Sequence, residues 1–176
     1  MEELLELKDC LSNRQYDRAF AIVEELEAMG RQDKINNLES FLVVLLIHLI
    51  KIQVEKRVTR SWKNSMINSL LAIQKRNKLG KKSLAGARSL APCVGAGSHH
   101  YIKPQNWDEH IKECQFEAIL GAAKEVFEGI DYQELENLLS ASQLMTSANK
   151  LLQLTYDNSP REIVEIVNSK FASDRL

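Results

Sequence analysis

Three prolines and seven glycines in 176 residues leave little to interrupt a helix, so long continuous helices are allowed. Cysteine is equally scarce. Cys10, Cys93 and Cys114 are odd in number and share no recurrent spacing, which argues against a disulfide framework and for a reducing, cytoplasmic setting. The start, Met1-Glu2-Glu3-Leu4-Leu5-Glu6, lacks both the basic flank and the apolar run of a signal peptide. The longest apolar stretch, Phe41 to Ile52, is broken by His48 and Lys51 and as a helix would span about 18 Å against roughly 30 Å of hydrocarbon. It reads as a core helix and not as a membrane span. No segment alternates with a period of two, so strands are not expected.

Acidic groups are missing from the middle of the chain. Between Lys51 and Lys103 twelve lysines and arginines face one acid, Glu55, so that segment carries +11 while the flanks carry −12, within a formal total of −1. Such segregation usually reflects complementary faces within one fold or oligomer, and less often a surface for anions.

What is present is a helical period almost throughout, so the fold class expected is all-α, a bundle of about six helices with a long central buried helix and a mobile mid-chain loop. A weak helix carrying Leu4, Leu5 and Leu7 comes first. A second runs from Arg14 to Met29, with Gly30 as its stop. From Gln32 to about Lys56, the seam Ile35, Leu38, Leu42, Leu45, Leu49, Ile52 resembles a coiled coil, and between Phe41 and Ile50 the other faces are apolar too, which places this helix at the centre. The next opens near Ser61 and buries Trp62, Met66, Leu70 and Ile73. Residues 80–103 hold four of the seven glycines and no period, and are expected to be a loop or linker with few apolar anchors. Helices resume with Trp107, Ile111, Cys114, Ala118, Ala122 and Val126 on one face, then Leu135, Leu138 and Leu139 after a capping-box-like Asp131 and Glu134, then Ser142 to Tyr156, which continues that helix or kinks from it. The last has Ser159 as N-cap, Pro160 in the first turn and Glu162 as the acid of a capping box. The domain reading is a helical core over 1–79, the loop over 80–103, and a second group of helices over 104–176 packed on the first.

Few groups promise chemistry. His48 sits in an apolar register beside Lys51, and its reading as a hydrogen-bonded core residue competes with a general base or a phosphoacceptor. Glu24 and Glu27 lie three apart on one helix face, where carboxylates serve acid/base or metal work but more often are simply solvated. His110 and Cys114 are spaced i, i+4 and follow Cys93, His99 and His100, donors of the kind zinc takes, yet no Cys-x-x-Cys or His-x-x-x-His clip anchors them. The run Gly95-Ala96-Gly97-Ser98 is too short and too poorly framed for a nucleotide loop, so no cofactor is expected. Lys56, Arg57, Arg60 and Lys63 cluster at one turn, and Lys75, Arg76 and Lys78 at the end of the following helix; these are the candidate contacts for a partner or a nucleic acid.

Glu24-Glu25-Leu26-Glu27-Ala28-Met29-Gly30-Arg31, then Glu39, then Leu45-Leu46-Ile47-His48-Leu49-Ile50-Lys51 with Gln53, and finally Arg60-Ser61-Trp62, together resemble the domain of unknown function 29 family, common in cyanobacteria. Its pattern runs E-E-I-E-x-x-G-R, then L-L-x-H-L-L-K-W-Q, then a basic turn ending in S-W. The resemblance covers about residues 14–78. Ile52 replaces the aromatic after the core lysine, and neither 80–103 nor the part beyond Ser140 follows the family. It implies an all-α bundle of unassigned activity, transfers no catalytic residue, and marks Glu24, Glu27, Gly30, His48, Lys51 and Trp62 for testing.

With no strong catalytic motif, the function expected is a small cytoplasmic, non-enzymatic module for protein–protein interaction or dimerisation. The alternative is an RNA- or DNA-binding protein or nuclease using the basic 51–82 segment. A homo-oligomer or protein partner is expected, a nucleic acid is the other candidate, and no membrane.

Overall fold

The computed structural model describes residues 2–78, 100–126 and 132–171, Val126 by its backbone only. Among these the fold is all-α, with seven α-helices: α1 (Glu2–Ser12), α2 (Tyr16–Glu55), α3 (Arg60–Arg76), α4 (Trp107–Val126), α5 (Tyr132–Leu138), α6 (Ala141–Asp157) and α7 (Pro160–Lys170). One 3₁₀ turn, Pro104–Asn106, leads into α4. The chain divides into two compact units, Met1–Asn37 and Leu38–Leu176, with the division inside α2.

The first unit is a helical hairpin. Its turn is a Schellman motif: Arg14 takes the left-handed position with φ 58°, the N–H of Gln15 donates to the Cys10 carbonyl at 2.8 Å and that of Arg14 to the Leu11 carbonyl at 3.3 Å. Arg18 on α2 reaches back to pair with Glu6 on α1. Only Cys10, Ala19 and Ile22 form the buried core, with Leu7 and Leu26 packed against them.

The expected stop at Gly30 is not there: the helix runs unbroken from Tyr16 to Glu55. A glycine ends a helix when the chain leaves through a left-handed residue, and Gly30 does not adopt that conformation. It stands in open space between good helix formers and costs only local stability.

The second unit is built on the later half of α2. Of the expected seam, Leu38, Leu42 and Leu45 are wholly buried and Leu49 is buried, while its ends Ile35 and Ile52 are half-buried; Leu46 and Ile50, on the other apolar faces, are wholly buried too. By length and composition α2 could cross a membrane, and 44% of its apolar window is buried in this fold; no residue from Phe41 to Val54 is fully exposed. α3 starts at an N-cap Thr59, whose hydroxyl accepts from the Trp62 N–H, and packs on α6 and α7. α4 packs on α6, and its Gly121 lets α2 come close: a Cβ there would stand 2.7 Å from Ile47 Cδ1. α7 begins with the full capping box of Ser159 and Glu162, as its sequence indicates.

Two expectations are corrected. Leu138 is 61% exposed and packs into no core, while Leu135 is fully buried. The segment before α4 is also better anchored than its composition suggests, because Ile102 is buried and residue 100 forms an isolated bridge with Lys78. The rest of the expected loop, 80–99, lies outside the described residues, as do Leu79, Gly129 and Asp131.

Candidate functional site

The motif residues of α2 and α3 meet beside α4. One turn of α2 puts His48 and Lys51 on one side, three residues apart. Lys51 extends along the core with its side chain only 5% exposed and pairs with Glu125 of α4, which is 56% exposed. Its ammonium stands 5.6 Å from the centre of the Trp62 ring, over which the Arg57 guanidinium also lies at 5.6 Å. Arg57 in turn pairs with Glu55. Two cations on one indole account for tryptophan at that position, since its face is the strongest side-chain receptor for a cation. His48 is half-buried and its Nδ1 is enclosed without a hydrogen-bond partner. Burial, and secondarily the charge of Lys51, hold its pKa below the ordinary value, so the ring is neutral at pH 7.

A second cluster joins the same two helices one end along. His110 Nδ1 lies 2.7 Å from Glu39 Oε1 and 4.0 Å from Glu113 Oε2, and the three ligand-type atoms fall within 4.8 Å of one another. The imidazole is flanked by Trp107, ring centres 6.0 Å apart. Cys114, one turn on, is a buried free thiol. Its pKa is pushed up to about 12, first by burial and then by the carboxylates of Glu39, Glu117 and Glu113. It is therefore an inert core thiol and not a nucleophile.

The zinc-type donors read from sequence are distributed otherwise. Cys93 and His99 lie outside the described residues, and His100 packs edge-on against Tyr156 at 4.9 Å. Among the described donors only His110 joins a ligand-type cluster, with Glu39 and Glu113 as companions. Glu24 and Glu27 are exposed on the first unit, a stretch that contains no histidine.

Sequence reasoning missed a buried polar hub. Asn77, 1% exposed, donates from Nδ2 to the Ile102 carbonyl and the Tyr156 hydroxyl, both at 2.9 Å. Its Oδ1 accepts from the Ile102 N–H at 2.8 Å. Tyr156 accepts from Trp107 Nε1 and donates to the Ile102 carbonyl. This closes the end of α3, the entry to α4 and α6 into one network. The only local signal was an asparagine just past a helix end.

The basic segment is mostly at the surface. Lys56, Arg60, Lys75 and Lys78 are exposed, Lys63 is half-buried, and none has an acidic partner among the described residues. Arg76 lies over the Phe41 ring at 4.8 Å. A groove of about 230 Å³ is lined by Leu49, Gln53, Lys56, Gln143, Lys170 and Phe171, among others.

No curated protein and no solved structure matches the chain. Residues 7–87 match the family model described as Domain of unknown function DUF29, a span that holds the end of α1, all of α2 and α3, and the His48, Lys51 and Trp62 cluster.

Proposed function

We propose that this protein is a cytoplasmic, non-enzymatic interaction module that dimerises through its N-terminal hairpin. One observation carries the reading. Among the described residues, seven of the nine large apolar side chains left exposed lie in the first 29 positions: Leu4, Leu5, Leu11, Tyr16, Phe20, Val23 and Met29. Tyr16, Phe20 and Val23 repeat at spacings of four and three, and Leu4 and Leu11 stand two turns apart, so each helix carries an outward apolar stripe beside its inward one. A unit of fewer than about 40 residues rarely folds without association, and this one has three buried apolar residues of its own. The occupant it suits is a second copy. Two identical hairpins complete a four-helix bundle, and a stripe on both helices of one hairpin can face itself across a two-fold axis.

Sedimentation over a concentration series tests this. The wild type should be a dimer, and Phe20→Asp should give monomer with unchanged helical circular dichroism. Each substitution counts twice in a symmetric interface, so a loss of about 1.4 kcal/mol per copy weakens association about 100-fold. Salt should leave an apolar seam unchanged or tighten it. Loosening by salt would favour pairing of acidic flanks with the basic segment. A wild-type monomer at about 100 µM would overturn the reading.

The second reading, a phosphate-binding surface, is supported by the exposed face of α3. Arg60 and Lys75 mark its ends, roughly 22 Å apart along the axis, with exposed Asn64 and Asn68 between them. It requires affinity for RNA or DNA that falls steeply with salt and is lost on Arg60→Glu and Lys75→Glu.

A further inference from the structure

We infer that Glu39, His110 and Glu113 form a binding site for one divalent transition-metal ion, bridging α2 and α4. The donor set is one imidazole nitrogen and two carboxylates, drawn from two helices, with His110 and Glu113 on one turn at i, i+3. Carboxylate helix proteins build metal centres from the same parts, a glutamate on one helix facing a histidine and a glutamate three apart on another. The distances come close to those around an ion. Bonds of about 2.0–2.2 Å subtending 90–110° place neighbouring ligand atoms roughly 2.8–3.6 Å apart. The observed separations from His110 Nδ1, 2.7 Å and 4.0 Å, straddle that range. The adjustable member is Glu113, whose side chain is 70% exposed, while Glu39 and His110, at 23% and 18%, form a firmer floor.

Charge supplies an independent argument. Among the described residues no lysine or arginine pairs with Glu39 or Glu113; their partner is His110 alone. Two carboxylates facing one imidazole leave at least one negative charge in excess, with Glu39 and His110 half-buried and Glu113 open to water. A divalent ion neutralises it. Nitrogen and oxygen donors select zinc, cobalt or nickel over calcium or magnesium, which favour oxygen alone. Three protein ligands leave coordination positions open to water.

Titration of the full-length, metal-stripped protein with Co²⁺, followed by visible absorption and calorimetry, tests the site. One equivalent should bind without a sulfur-to-cobalt charge-transfer band. His110→Asn and Glu39→Gln should each weaken binding at least about 10-fold. Glu113→Ala, an exposed position that cannot unfold the protein, should weaken it as well. The combined Cys93→Ser and His99→Asn variant should bind as the wild type does. Dissociation constants above about 1 mM for the wild type, an unchanged affinity in Glu113→Ala, or a thiolate band that disappears with Cys93 would each overturn the assignment.

Discussion

Removing the carboxylate of Glu125 should destabilise the protein more than removing the ammonium it faces. Lys51 is almost wholly enclosed, whereas Glu125 is more than half in water, so the desolvation cost of the pair sits on the lysine. Glu125→Gln strands that ammonium with little but the Trp62 face. Stranding one member of a fully buried pair costs about 3–5 kcal/mol. Here the outer end of the pair reaches water, and the loss should be nearer 1–2 kcal/mol. Lys51→Met keeps the apolar stem and removes the desolvated charge, so its effect should lie within about 1 kcal/mol of zero. The double variant should resemble Lys51→Met alone, because in that background Glu125 has no charge to neutralise. Urea unfolding followed by circular dichroism, with m-values unchanged, measures all three. If Lys51→Met proved the worse single change by more than about 1 kcal/mol, the pair itself would be holding α2 to α4, and the desolvation argument would be wrong.

Asn77→Ala should cost about 2–4 kcal/mol, since it leaves the Ile102 amide without its acceptor and removes a donor from two buried oxygens; chemical denaturation checks it, and a loss under about 0.5 kcal/mol would mean water replaces the amide. For His48, burial places the folded-state pKa below the ordinary 6.5. Below that pH the unfolded chain holds more protons on this ring than the folded one. Its contribution is therefore complete above about pH 6.5 and is lost as pH falls toward the folded value. Between pH 7 and 5 the wild type should lose stability more steeply than His48→Gln, and equal slopes would refute the neutral, enclosed ring.

What was legible in the chain was local. The capping box at Ser159 and Glu162 was readable because its hydrogen bonds lie within four residues. The seam from Leu38 to Leu49 was readable because a helix enclosed by neighbours must be apolar on several faces. Gly30 misled for the opposite reason: a glycine permits a left-handed exit but does not compel one, and only the path of the following chain decides. Ile102 misled because one apolar residue in a glycine-rich stretch has no period to announce that it is an anchor.

The pairs that define the candidate sites were illegible on other grounds. His110 faces Glu39 across 71 residues and Lys51 faces Glu125 across 74, and either partner alone reads as an ordinary solvated charge. His110 had been grouped with Cys114 by helical spacing, and the spacing does put both on one side of α4. The side of α4 is not enough. Cys114 turns into the core among carboxylates that disfavour its thiolate, while His110 sits higher on the helix where Glu39 can reach it. Glu39 stands in the family motif and on the helix that forms the core. Its partners His110 and Glu113 lie beyond the matched residues 7–87. A function resting on that cluster would therefore belong to this chain's own α4 as much as to the matched span.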